Sequence, residues 1–211
     1  TPRVTCCTSI GSDHALSLSH FHRAIAWEKG SIAKPGVPFV LPALPSSLHT
    51  TLVHVISARG GTVVSTPVGF RWQRKEPNLI AYTFGTDPTL QTVQPIPSDA
   101  HASNLALALT CARLFSGTPL DPDAVFRGLS TLQWPARFER IGPWVLDGAH
   151  NPEACQTLAR QVQEHHLPPL TCVFGANADK QWSAALAPLL PHVAGFHLVR
   201  VPSERSEDPA V

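Results

Sequence analysis

The stretch VLDGAHNPEACQTLA, residues 145–159, decides the fold. An apolar pair, Val145-Leu146, runs into Asp147-Gly148, and Asn151-Pro152 stand where a helix should begin. Asparagine is a favoured N-cap, and proline is accommodated at the first helical position because no N–H is needed there. The stretch therefore predicts a strand handing over to a helix through a tight turn that Gly148 permits. Such hand-overs commonly face ligands in α/β proteins, since the helix start offers unpaired N–H groups. An acid and an imidazole, Asp147 and His150, occupy this one.

Outward from that point the pattern alternates. Trp144–Leu146 is expected as a strand, 152–166 as a helix, Leu170–Phe174 as a strand, 181–190 as a helix and Phe196–Val201 as a strand. Alternation with short connections predicts an α/β fold with a parallel, doubly wound sheet. Upstream, Val4–Ile10 is β-prone, SHFHRAIAWEKG (19–30) reads as a helix, and VPFVLP (37–42) as a short buried strand. In that first helix Phe21, Ile25 and Glu28 share a face, so Glu28 is expected to be partly buried. SSLHTTLVHVISARGG predicts an amphipathic helix with Leu48, Leu52, Val55 and Ile56 in register. Residues 62–97 read as short strands and turns. Two more helices follow, one capped by Ser98 or Asp99, the other by Asp121 with Pro122 at its first position. The pattern resets near 133–140, which marks a boundary.

Apolar residues make up 43% of the 211 and charged ones 15%, which fits a globular chain long enough for a sizeable core. The net charge of +1 gives no footprint for nucleic acid or an anionic membrane surface. No apolar run approaches a bilayer span, and the start lacks a secretory leader pattern, so a cytoplasmic location is expected. Five scattered cysteines lack metal-ligand spacing and are expected as reduced thiols. Methionine is absent even at position 1, so the chain is expected to be a piece of something longer.

Residues 8–38 read TSIGSDHALSLSHFHRAIAWEKGSIAKPGVP. This resembles the signature of the folylpolyglutamate synthase/dihydrofolate synthase family, a branch of the Mur-type ATP-dependent amide ligases. The matching residues are Thr8 to Gly11, Asp13, His14, Leu18, Ile25, Ala26, Glu28, Lys29, Ile32, Lys34 to Gly36 and Pro38. WPARFERIG (134–142) is similar to the family's P-G-R-F-E segment, LDGAHNPEA to its D-x-A-H-N-P, and VFGANADKQW to a weaker V-F-G-x-x-x-D-K block.

The resemblance implies that 1–135 are the C-terminal part of a central ATP-binding domain. It makes 136–211 a smaller Rossmann-like, doubly wound glutamate-ligase domain, expected to be incomplete. It implies an ATP-dependent ligase that adds L-glutamate to dihydropteroate or a folyl polyglutamate through an acyl phosphate. ATP, L-glutamate and dihydropteroate or folate are the implied small-molecule partners, and the family is commonly monomeric. His14 is then a magnesium ligand, although this hard ion ordinarily prefers oxygen. Lys29 is a carbamylated lysine serving the metal through an oxygen, its competitor being a solvated lysine at a helix C-terminus. Asn104 is the adenine contact, unless it is an ordinary asparagine near a helix start. Arg137 is the nucleotide-binding arginine, whose donor fork suits phosphate; a surface pair with Glu139 is the alternative. Asp147 contacts ATP and His150 holds nucleotide or glutamate, while Asn151 is as well explained as an N-cap.

There are departures. The glycine-rich G-K-[ST] loop is expected upstream of residue 1, so these 211 residues alone are expected to show little activity. The glycine before the linker arginine is Ala136 here, which matters if that position needs positive φ. A peptidoglycan-precursor Mur ligase is a second reading, which the E-K-x-x-I-x-K-P-G-x-P run disfavours. A non-catalytic remnant that binds nucleotide or a partner is a third.

Overall fold

The computed structural model describes residues 2–10, 20–76, 78–93, 96, 98–178, 182–204 and 206. The magnesium ligand expected at His14, its neighbour Asp13 and the Asp179-Lys180-Gln181 block lie outside the described residues. The chain divides into two compact units, Thr1–Leu132 and Gln133–Val211.

In the first unit, β1 (Thr5–Cys6), β2 (Pro38–Leu41) and β3 (Thr62–Ser65) form a parallel sheet in that order. Helices α1 (His20–Gly30) and α2 (Ser46–Ala58) make the crossovers. In β2, Phe39, Val40 and Leu41 are all fully buried, as expected of a strand covered on both faces. The predicted stripe of α2, Leu48, Leu52, Val55 and Ile56, is the stripe that is buried. Each such side chain contributes on the order of 1.5–3 kcal/mol relative to exposure. Helix α1 meets α2 at Gly30, where an added methyl would come 3.0 Å from Val55 Cγ1. That close approach fixes the end of α1, and with it Lys29.

The stretch 62–97 is more ordered than its prolines suggest. After β3, a meander of β4 (Phe70–Glu76), β5 (Leu79–Phe84) and β6 (Leu90–Val93) pairs antiparallel. Phe70, Ile80, Tyr82 and Leu90 point from it into a core shared with α3 (Asp99–Ser116). Ser98 caps α3, accepting from the His101 N–H. Tyr82 and Thr110 meet there at 2.9 Å. Because the Thr110 hydroxyl already donates to the Ala106 carbonyl, Tyr82 is the donor. Helix α4 (Pro122–Ser130) starts as the sequence predicts, with Asp121 as N-cap.

In the second unit, β7 (Glu139–Ile141) and β8 (Trp144–Leu146) form an antiparallel hairpin. Helix α5 (Pro152–Glu164) follows, and β9 (Leu170–Phe174) pairs in parallel with β10 (Val193–Leu198). Helix α6 (Trp182–Leu186) continues as a 3-10 turn through His192. The core is Cys155 and Ala159 of α5 against Ala185, Leu186 and Leu189.

Several expectations need correction. Val4–Ile10 yields only a two-residue strand. The helix expected over 181–190 is a short α-helix and a 3-10 turn, as Pro188 and Pro191 dictate. The described part of the second unit is mixed α/β, as expected, and its strands fall into two pairs. They make one antiparallel and one parallel pair, because Gly142-Pro143 turns the chain back at once. Glu28 is exposed, its side chain at 76%. The buried face of α1 is Ala26 and Gly30, one turn apart, rather than the face through Glu28.

Candidate functional site

Three of the expected site residues come together in one turn of the second unit. The β7–β8 ladder pairs Glu139 with Leu146, so Phe138 and Asp147 stand opposite each other just beyond it. There the side chain of Asp147 replaces the next backbone bond. Its Oδ2 accepts the Phe138 N–H at 2.7 Å and its Oδ1 the Ala149 N–H at 2.8 Å. The Gly148 N–H donates to the Ala136 carbonyl at 2.9 Å. The carboxylate of Glu139 accepts the Ala136 N–H at 2.8 Å. The pairing of Arg137 with Glu139 is thus not the arrangement formed.

Two left-handed residues flank the arginine: Ala136 at φ 53° and Phe138 at φ 50°. The left-handed conformation costs an L-residue about 1–2 kcal/mol, so this arc is held against its own preference. The holding groups are visible. Asp147, Glu139 and Gly148 fix its backbone, and the Phe138 ring is buried with its centroid 4.9 Å from that of His165. Arg137 itself is exposed. Its Nη1 makes only a long contact, 3.5 Å, with its neighbour's carbonyl, and the guanidinium lies over Gly148, where any Cβ would overlap it.

His150 is exposed on the other side of the turn, its Nδ1 2.8 Å from the Gly148 carbonyl. A carbonyl only accepts, so Nδ1 carries the proton, and in the neutral ring Nε2 carries the lone pair. Asn151 is the N-cap of α5, its Oδ1 accepting the Ala154 N–H at 2.8 Å. A guanidinium, an imidazole and a helix N-terminus therefore share one turn, a combination suited to an anionic ligand.

A cavity of about 550 Å³ adjoins this turn, between β8, β9 and α5. Its walls include Leu146, Asp147, Leu158, Cys172 and Phe174. Such a wall suits apolar groups and does not suit phosphate.

The first unit presents the other candidates separately. Lys29 ends α1 with its side chain half exposed and its Nζ 3.7 Å from Glu28. Its charge reaches the end of β1: burial raises the Cys7 thiol above its ordinary pKa, and the Lys29 ammonium opposes that rise. As an ammonium Lys29 offers donors and no lone pair, so it fits a metal only after losing its charge. Asn104 is exposed on α3. Among the described residues no group of three or more metal-ligating side chains converges. All five cysteines are free thiols. Among the described residues, no helix is long and apolar enough to cross a membrane.

Phe138, Glu139 and Gly148 hold the arc, yet in WPARFE only Arg137 stands out by type. The available signal was the departure at Ala136, whose positive φ is now explicit.

Residues 136–211 match the Mur ligase glutamate ligase domain family. Nearly the whole chain is similar to the folylpolyglutamate synthase of Lacticaseibacillus casei, 29% identical over 96% of this chain and 50% of that protein. Folylpolyglutamate synthase of Mycobacterium tuberculosis, solved with ADP and AMPPCP, superposes with a TM-score of 0.82 at 26% identity, over 97% of this chain and 48% of that one. A bifunctional folylpolyglutamate synthase/dihydrofolate synthase with Mn, AMPPNP and L-glutamate bound gives 0.81 at 25% identity, over 98% and 49%. The chain spans about half the length of these relatives.

Proposed function

We propose, from the premise that this chain is a homologue of the folylpolyglutamate synthase/dihydrofolate synthase branch of the Mur ligases, that the whole protein is an ATP-dependent ligase. It adds L-glutamate to dihydropteroate or to a folyl polyglutamate. In the reaction the substrate carboxylate attacks the γ-phosphorus of ATP and ADP leaves. The glutamate amine then attacks the acyl carbon, and phosphate departs with one carboxylate oxygen.

The observation that carries this reading is the presentation of Arg137. A strained arc, fixed by two carboxylates, holds an exposed guanidinium beside a helix N-terminus. In this role Arg137 grips phosphate oxygens through its donor fork, and His150 orients nucleotide or the incoming glutamate. Asn104 pairs its amide with the adenine edge. Magnesium, held by His14 and a carbamylated Lys29, would supply neutralisation of the phosphate oxygens. Carbamylation fits the position of Lys29 because it exchanges the ammonium for an anionic oxygen donor. The finer architecture proposed is a central ATP-binding domain giving way near residue 135 to a Rossmann-like glutamate-ligase domain.

The test is ADP formation by the whole protein with ATP, L-glutamate and either dihydropteroate or a folate. The reading expects ADP release that requires both L-glutamate and one pterin acid, and that falls by about two orders of magnitude in Arg137→Ala. ADP release indifferent to both acids would refute it.

A further inference from the structure

The register of the first sheet sorts two adjacent cysteines onto opposite faces. Cys6 pairs with Val40, and Val40 belongs to the core shared with α3. The residues on either side of it, Phe39 and Leu41, belong to the core shared with α1 and α2. Successive strand residues point to opposite faces, so Cys6 faces α3 and Cys7 faces away from it. Cys7 is accordingly buried with Ala26, Leu52 and Ile56. On α3, Cys111 follows the buried Leu107 by one turn and shares its stripe. Helix α3 packs against β1, and Cys6 and Cys111 both lie against the same core. There the two thiols meet, the Cys6 S–H donating to the Cys111 sulfur. Both residues are partly exposed.

We propose that Cys6 and Cys111 form a dithiol site, which a low-molecular-weight disulfide oxidises to a covalent bridge between β1 and α3. Cys111 is the attacking thiol. The hydrogen bond from Cys6 stabilises its thiolate and lowers its pKa, against the effect of burial. The same hydrogen bond, with burial, makes Cys6 hold its proton more tightly. The other three thiols are all raised, chiefly by burial, so Cys111 is the one best placed to react. Two thiols alone do not make a zinc site, and among the described residues no third ligand joins them.

The chemistry balances. The Cys111 thiolate attacks one sulfur of RSSR, forms Cys111–S–S–R and expels RS⁻. That thiolate takes the Cys6 proton, and the Cys6 thiolate attacks the Cys111 sulfur and expels the second RS⁻. Each step makes one S–S bond and breaks one. The protein gives up two electrons and two protons, and RSSR becomes two RSH.

The test is exposure of the whole folded protein to oxidised glutathione, followed by blocking of free thiols and tryptic mapping. Cleavage after Arg3, Arg23, Lys75 and Arg113 places Cys6 and Cys7 on residues 4–23 and Cys111 on residues 76–113. These two peptides are expected joined by one disulfide that dithiothreitol parts, with fragmentation between Cys6 and Cys7 assigning the bond to Cys6. Peptides that stay unlinked, with or without bound glutathione, overturn the proposal. So does a bond assigned to Cys7, whether to Cys111 or to Cys6. Mapping of the unsubstituted protein decides this without any variant. The order of attack is read from the single variants. Cys6→Ser should stop with glutathione held on Cys111, formed about tenfold faster than the adduct on Cys6 in Cys111→Ser. Faster addition to Cys6 would overturn the role given to Cys111.

Discussion

The guanidinium of Arg137 crosses directly over Gly148, so the glycine leaves room for the arginine rather than for a backbone twist. The hindered atom is the far end of a flexible side chain, which can move aside. Gly148→Ala should therefore leave thermal stability within about 0.5 kcal/mol, as for an ordinary partly exposed substitution. Nucleotide affinity should fall nearly as far as in Arg137→Ala. Calorimetric unfolding together with AMPPNP titration checks this; an unfolded Gly148→Ala variant would show that the space serves the backbone.

Ala136 holds φ 53° without the freedom of glycine. Ala136→Gly should stabilise the second unit by about 1 kcal/mol, since the left-handed region is open to glycine. The gain is partly offset by the greater entropy of the unfolded glycine chain. Denaturant unfolding of the two proteins measures the difference. Equal or lower stability in the glycine variant would mean that the arc carries no strain at this position.

Lys29 has an ammonium beside a single exposed carboxylate, which neither buries it nor commits it. The proposed metal role requires its neutral amine to add carbon dioxide. With labelled bicarbonate, a carbamate resonance should appear in the whole protein and be lost in Lys29→Ala and Lys29→Arg. Its strength should rise with pH, because only the unprotonated amine reacts. Catalysis of glutamate addition by Lys29→Arg at the unsubstituted rate would remove the lysine from the site.

Tyr82 gives a pH signature of the first unit. Burial is the main cause that pushes its hydroxyl up to about 12 from its ordinary 10.0. Its folded pKa lies above the unfolded one, so its contribution is complete below pH 10 and declines as pH rises toward 12. Unfolding followed over that range should show this decline, and Tyr82→Phe should lack it. The phenylalanine variant should also lose about 1 kcal/mol at neutral pH, the hydrogen bond to Thr110 being gone. A pH profile identical in both proteins would place the decline on other groups.

The elements whose driving force is local were legible in the sequence. The stripe Leu48, Leu52, Val55 and Ile56 required only helical spacing, and Asp121-Pro122 and Asn151-Pro152 only the chemistry of helix starts. The meander over 70–93 was less legible because its pairing is set by partners distant in sequence, such as Phe70 with Phe84 and Ile80 with Thr92. Glu28 was misplaced because a single helical turn offers two overlapping faces, and packing at Gly30 against Val55 chose the other. At the candidate site, residue types suggested Arg137, Asp147 and His150, but not that Asp147 would accept two backbone amides. That depends on two left-handed residues, and conformation of that kind leaves no mark on composition or period.

Transfer of oxygen tests the ligase account most directly. The whole protein is given ATP, L-glutamate and a dihydropteroate or folate whose reacting carboxylate carries oxygen-18, and the released phosphate is analysed by mass. Activation through an acyl phosphate predicts one labelled oxygen in the phosphate for every amide formed. Amide formation that releases only unlabelled phosphate would contradict it.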